Sequence, residues 1–404
     1  MARDSLYPVS VKAGKPILGI LPKGWQKLSL EKCLNIEARK AYIQDNQEYD
    51  LVTVKRSRGG VIRREHLKGK DISVKSQFYI KEGDFLISKR QIVHGACGLV
   101  PKELSDSIVS NEYCVLTGKP DFYLPYMEFL SESLYFQQTC FHSSIGVHIE
   151  KMIFKLDSWF KWPFNIPPLS EQKRIVKILS TWDKAISVTE KLLINSQQQK
   201  KALMQQLLNG KKRLLDENGV RFNGKWEKKL LSDVADVYQP KTISQSMMSD
   251  SGYPVYGANG VIGFYQEFNH ETEQIAVTCR GSTCGIVNWT QAKSWITGNA
   301  MVINTDNYSY VSKKFLFYTL NGSDLRYLIS GSGQPQITGN IKTHIINLPC
   351  IEEQQKIATV LSAADAEIST LEKKIACLKD EKKALMQQLL TGKRRVKIDE
   401  AVAA

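Results

Sequence analysis

The sequence predicts an α+β protein. Two α+β domains alternate with two long helices, and the helices pair as an antiparallel coiled coil within one chain, in a pseudo-twofold repeat. Two observations lead there. The segment Lys200-Lys-Ala-Leu-Met-Gln-Gln-Leu-Leu208 recurs residue for residue as Lys382-Lys-Ala-Leu-Met-Gln-Gln-Leu-Leu390. The same offset of 182 positions aligns Glu171-Gln172 with Glu353-Gln354, Asp183 with Asp365 and Gly210-Lys211 with Gly392-Lys393, without a gap. The second observation is periodicity. Ile357, Leu361, Ala364, Ile368, Leu371, Ile375, Leu378, Lys382, Leu385 and Leu389 follow steps of four and three, the stripe of a coiled coil. Ile175, Leu179, Trp182, Ile186, Thr189, Leu193, Ser196, Lys200, Leu203 and Leu207 run in the same phase. Their apolar members form the expected seam, and Leu371→Asp is expected to cost several kcal/mol by burying a charge.

Each helix has stop signals at both ends. Pro167-Pro168 and Pro349 precede, and Gly210 and Gly392 follow, each trailed by basic residues. Proline before a helix, and glycine with cations after it, satisfy the end groups and the dipole. Residues 171–208 as helix would run about 57 Å at 1.5 Å per residue. The first copy is poorly apolar at Ser196-Gln-Gln-Gln199 and needs a partner, which the second copy supplies.

The expected layout is an arm (1–21), a first domain (22–165), helix 1 (166–210), a charged linker (211–223), a second domain (224–346), helix 2 (347–392) and a basic tail (393–404). Short β-rich runs such as Phe85-Leu-Ile-Ser88 and Ile275-Ala-Val-Thr278 are punctuated by Gly, Asn and Asp. Residues 122–138 and 312–330 carry aromatic and Leu residues at helical spacing. A fainter repeat links Ser88-Lys89-Arg90 and Cys97-Gly98 with Thr278-Cys279-Arg280 and Cys284-Gly285, and Ser110-Asn111 with Gly298-Asn299.

The net charge of +14 attracts polyanions, nucleic acid or an anionic membrane surface. No apolar run reaches the eighteen or so residues of a membrane span, and the start carries no signal-peptide core. The eight Cys are scattered without a Cys-x-x-Cys, so reduced thiols and a cytoplasmic location are expected. No phosphate loop, dinucleotide fingerprint, nucleophile elbow or His/carboxylate metal spacing occurs. The chain therefore reads as a binder without its own cofactor or metal.

Binding features are richer. Residues 55–70 hold seven Lys or Arg around Gly59-Gly60, a basic loop suited to phosphates and, through Arg, to guanine. A solvated charged hairpin fits the same pattern. Tyr256-Gly-Ala-Asn259-Gly and Gly331-Ser-Gly-Gln334-Pro-Gln336 are turn-rich loops whose amides suit adenine, though ordinary turn chemistry places Gly and Asn there too. A coiled-coil adaptor whose heads bind protein or glycan is a second reading of these residues, and a self-contained methyltransferase a third, which the missing cofactor motif disfavours.

Pro167-Pro-Leu-Ser-Glu171-Gln172 and Pro349-Cys-Ile-Glu-Glu353-Gln354 open the two helices, and Leu207-Leu208-Asn-Gly210-Lys211 and Leu389-Leu390-Thr-Gly392-Lys393 close them. With the two loops of the second domain, this pattern resembles the specificity subunit of type I restriction-modification systems. The resemblance implies two target recognition domains, each reading half of a bipartite double-stranded DNA site, held apart by the helix pair. It implies docking of two modification subunits, which methylate adenine with S-adenosylmethionine, and of restriction subunits driven by ATP and Mg. It implies no catalysis in this chain. The expected DNA-contacting residues are Lys55, Arg56, Arg58, Arg63, Lys89 and Arg90 in the first domain, and Tyr256, Asn259, Arg280, Gln334 and Gln336 in the second.

Overall fold

The computed structural model describes residues 14–331 and 334–397. Residues 1–13 of the expected arm, Ser332 and Gly333 of the second loop, and residues 398–404 of the expected tail lie outside the described residues. The chain divides into two compact units, Met1–Val188 with Ile375–Ala404, and Thr189–Lys374.

In the first unit come β1 (Gln26–Ser29), β2 (Leu34–Glu37), β3 (Lys40–Ala41), β4 (Glu48–Val54) and β5 (Val61–Lys68). Next are β6 (Gln77–Tyr79), β7 (Phe85–Ser88), β8 (Cys97–Leu99), β9 (Ile108–Ser110) and β10 (Tyr113–Gly118). After helices α1 (Tyr126–Leu130) and α2 (Leu134–His142) follow β11 (Ser144–Ile145), β12 (Ile153–Phe154), α3 (Leu156–Phe160) and β13 (Pro163–Ile166). A four-stranded antiparallel sheet has the order β2-β10-β7-β8, and a five-stranded sheet the order β3-β6-β9-β4-β5. The helix expected over 122–138 is broken, because Ser133 leaves helical geometry and its hydroxyl accepts the Phe136 N–H to start α2.

In the long helix α4 (Leu169–Leu207), residues 169–188 belong to the first unit and the rest to the second. The second unit then holds β14 (Glu227–Leu230), α5 (Leu231–Val234), β15 (Asp236–Tyr238), β16 (Tyr253–Gly257) and β17 (Gly260–Tyr265). After β18 (Ile275–Thr278), β19 (Val287–Trp289), β20 (Trp295–Ile296) and β21 (Ala300–Asn304) come α6 (Lys313–Gly322), β22 (Ile345–Leu348) and α7 (Ile351–Leu390). Its four-stranded sheet has the order β15-β21-β18-β19, the first unit's order repeated. The pairs β1–β13 and β14–β22 likewise match. The helical spacing over 312–330 resolves into α6 and a short 3-10 turn, Leu325–Leu328, because the chain leaves helical geometry at Ser323.

The strand register corrects the fainter repeat. Ser88 pairs with Tyr113, and Thr278 with Ala300, so Glu112 rather than Asn111 stands where Asn299 stands. Ile87 pairs with Cys97 and Val277 with Val287, so Val287, and not Cys284, holds in the second unit the place Cys97 holds in the first. Shared Cys-Gly letters misled the alignment; cross-strand hydrogen bonds set it.

Each unit packs one half of α4 against one half of α7. The first core joins Ile175 and Leu179 of α4 with Met386 and Leu389 of α7 around Trp159, Phe136 and Phe164. The second joins Leu207 of α4 with Ile357 and Leu361 of α7 around Phe315, Leu316 and Tyr318. Contact order is antiparallel in both. In the first unit Asp183 meets Lys382 and Glu171 meets Arg395. In the second, Ser196 meets Glu367, Lys200 meets Asp365 and Arg213 meets Glu353. Burial is deepest near the helix ends. Leu361 is 0% exposed and Leu389 2%, whereas Trp182, Leu193, Leu203, Ile368, Leu371, Leu378 and Leu385 are only partly buried, and Ile186 and Ile375 are just buried.

The recurring Glu-Gln pair has a structural job. Glu353 accepts both Nε–H and Nη2–H of Arg213 at 2.6 Å and the Trp226 indole N–H at 3.1 Å. Glu171 holds Arg395 and Trp25 in the same way. Gln172 donates to the Pro167 carbonyl and accepts the Tyr123 N–H, as Gln354 does with Pro349 and Ser312. Gly210 and Gly392 adopt left-handed φ of 71° and 68°, beside the rings of Trp226 and Trp25 respectively, and end the helices there.

Candidate nucleic-acid interface

In the first unit, β4 and β5 form a hairpin whose tip, residues 55–60, carries Lys55, Arg56 and Arg58. Ser57 and Arg58 both lie at positive φ, 57° and 54°. A side-chain-bearing residue there costs of order 1–2 kcal/mol, so something must hold the tip. The Ser57 and Arg58 N–H groups donate to the carbonyls of His94 and Gly95, at 2.7 and 2.8 Å. The tip is thereby fastened to the loop after β7, which carries Lys89 and Arg90. Arg56 donates to Gln91 at 2.8 Å and to Glu150 at 2.7 Å. His94 Nε2 lies 3.2 Å from the same Glu150 carboxylate. Lys89 donates to the Asn111 carbonyl, and Arg90 to Glu112 through two nitrogens. Arg56, Arg58, Lys89 and Arg90 are therefore gathered at one place. Arg63 is not among them, because it lies along β5 and pairs with Asp50 of β4.

In the second unit, Tyr256-Gly-Ala-Asn-Gly is a hairpin turn rather than a loop: β16 and β17 pair up to Gly257 and Gly260, and Gly260 takes the positive φ of 86°. Tyr256 sits inside β16, 6% exposed, with its hydroxyl accepting the Gln291 N–H. It is packed in the core beneath the turn and leaves little surface for a ligand. Asn259 stands exposed at the tip. The Thr278 hydroxyl donates to the Ala258 carbonyl, tying this turn to the end of β18. Arg280 follows, exposed, and Gly281 N–H donates to the Pro335 carbonyl at 3.0 Å. Ile337 N–H donates to the Cys279 carbonyl. Asn259, Arg280, Gln334 and Gln336 are thus brought to the loop after β18, as the first unit's cations are brought to the loop after β7. All four are exposed.

Sequence reasoning missed Gln91, Glu150 and Glu112, which hold the arginines, and Thr278, which holds the turn. Glu150 lies 94 positions from Arg56, and no local pattern announces such a pair. Burial pushes the Cys97 thiol, behind the first cluster, up to about 12, so it serves as packing. No helix among the described residues is long and apolar enough to cross a membrane.

The chain matches the family described as type I restriction modification DNA specificity domain over residues 22–196 and 223–379. It is 27% identical over 311 residues to the type I restriction enzyme MjaVIII specificity subunit of Methanocaldococcus jannaschii, covering 69% of this chain and 71% of that protein. Among solved structures, the S subunit of a type I restriction-modification system from M. genitalium superposes with a TM-score of 0.61 at 13% identity, over 93% of this chain and 99% of that one. The HsdS subunit from Thermoanaerobacter tengcongensis does so with a TM-score of 0.51 at 18% identity, over 93% and 98%. With one sheet order repeated in two units, one helix pair shared by both, and the family pattern over most of its length, the chain belongs to the type I restriction-modification DNA specificity family.

Proposed function

We propose that this chain is the DNA-reading subunit of a type I restriction-modification complex and performs no chemistry itself. Each unit reads one half of a bipartite, asymmetric site. The helices α4 and α7 dock two modification subunits, in which S-adenosylmethionine supplies the methyl group for adenine, and restriction subunits using ATP and Mg join them. One observation carries this reading. The same four-stranded sheet order occurs in both units, yet the loop after its third strand gathers Arg56, Arg58 and Arg90 in one and Asn259, Arg280 and Gln334 in the other. One scaffold with two different sets of readers suits two unlike half-sites. Arginine matches guanine and amides match adenine bidentately.

The test is selection of bound sites from a random DNA pool with modification subunits added. Two short, unlike half-sites at fixed separation are expected. Affinity should fall about a thousandfold between 50 and 200 mM salt if some six phosphates are contacted. Enrichment of no sequence, together with salt-insensitive capture of a protein or glycan, would favour the adaptor reading instead.

A further inference from the structure

We propose that a basic groove in the second unit, walled by α4, α6 and β22, receives an extended acidic segment of a partner protein. The groove has a volume of about 790 Å³. Lys201 and Lys211 line it with the amides of Gln205, Asn209, Asn321 and Asn347, and no carboxylate lines it among the described residues. Lys200 also reaches it, but its ammonium is bonded to Asp365 at 2.5 Å. Lys201 and Lys211 are therefore the charges left for a ligand, and both are exposed.

The first unit shows what this position binds. Asn165 holds in β13 the place Asn347 holds in β22: Asn165 faces Lys27 of β1, and Asn347 faces Lys228 of β14. The Asn165 side-chain amide donates to the carbonyls of Gly19 and Ile20, at 3.1 and 3.2 Å. It grips the main chain that leads to Trp25, with Arg395 holding the Lys23 carbonyl farther along. The second unit repeats the last step, since Arg213 donates to the Gly224 carbonyl at 3.0 Å.

It cannot repeat the first. The residues before Gly224 must come directly from the end of α4, and they close on themselves. Phe222 N–H donates to the Leu214 carbonyl at 3.1 Å, Leu215 bridges to Arg221, and Val220 N–H donates to the Asp216 carboxylate at 2.8 Å. Asn347 is left exposed beside the groove. A strand from elsewhere would offer its carbonyls to Asn347 and its carboxylates to Lys201 and Lys211. Main-chain bonds give such docking its affinity, and side-chain charge its selectivity.

The occupant we assign is a segment of the modification subunit, so this inference rests on the docking reading above. The test uses the full chain with modification subunits. A photo-crosslinking residue at Asn321 should, on irradiation, link to an extended acidic segment of the modification subunit. Lys201→Glu with Lys211→Glu should weaken assembly at least tenfold, less so at high salt, while thermal unfolding and DNA half-site preference stay unchanged. If the parent assembles and the charge-reversed chain assembles equally well, this inference fails and docking stands. Crosslinks to DNA or to a second copy of this chain overturn it too. A parent that recruits no modification subunit overturns both.

Discussion

Lys200 bonds to Asp365 at 2.5 Å in the second unit, and the residues 182 positions from each, Lys382 and Asp183, bond to one another at 2.7 Å in the first. The roles of α4 and α7 are exchanged between the two contacts. Each lysine also lies over an aromatic ring, Tyr318 for Lys200 and Phe129 for Lys382. A contact that recurs with its partners exchanged is the mark of a self-complementary interface, and here both copies of the interface sequence lie in one chain.

Because Asp183 and Asp365 are 48% and 41% exposed at the side chain, each pair should be worth about 0.2–1 kcal/mol. Asp365→Lys should destabilise the second unit by more than that, since it sets two cations together and removes the acceptor of the Tyr318 hydroxyl. Lys200→Asp in the same chain should restore part of the loss. Denaturant unfolding of the two single variants and the double variant measures the coupling, and additive losses would show that the pair contributes nothing.

Acidification should weaken the second unit. His270 and His344 are both buried, and burial lowers the pKa of each. The folded state therefore keeps them neutral while the unfolded state gains protons below about pH 6.5. Their contribution is fully present above that pH and is lost as pH falls toward the lowered folded values. His66 has the opposite sign, raised by bonds to Asp50 and Glu48, but it is exposed on β5. The melting temperature at pH 7.5 and 5.5 should differ for the parent, and the gap should narrow in the His270→Gln/His344→Gln double variant. An equal gap in both proteins would place the sensitivity elsewhere.

Much of this architecture is readable in the sequence. Nine identical residues and a shared heptad phase mark two copies of one helix, and Pro and Gly mark the ends. The sites were legible only as loops. That Tyr256 faces inward follows from strand pairing, which its Gly-rich surroundings conceal. That the 55–60 tip is fastened at His94 and Gly95 depends on backbone bonds that no side-chain pattern encodes. The Glu171 and Glu353 clamps lay in plain view as a repeated Glu, but their arginine partners stand 224 and 140 positions away.

On the proposed function, the two units should be separable. Arg58→Ala removes a cation from the first unit's tip, and Gln334→Ala removes an amide from the second's. If each makes a bidentate base contact, each should cost about 1–3 kcal/mol at one half-site and leave the other unchanged. Site selection on the two variants reads this directly. Weakening equal on all sequences would reassign the residue to the phosphate backbone, and loss at both half-sites together would mean that the fold was damaged.

The helix pairing makes one further demand, in which depth decides the outcome. Leu361 and Leu371 occupy the same heptad stripe, and periodicity alone assigns them the same burial. In the structure Leu361 is 0% exposed and packs into the second unit's core with Leu207 and Ile357, while Leu371 is only partly buried and lies outside that cluster. The stretch of α4 in this unit is correspondingly polar, with Thr189 and Ser196 buried in it. A carboxylate at 361 would lose its water with no cation in its place, costing several kcal/mol. A carboxylate at 371 keeps much of its water, and its cost should stay near the 0.5–3 kcal/mol of an ordinary substitution. Leu361→Asp should therefore unfold the second unit or halt its expression in soluble form, and Leu371→Asp should fold with a modestly lowered melting temperature. Equal losses from the two variants would show that the seam is buried evenly along its length, against the exposure seen here.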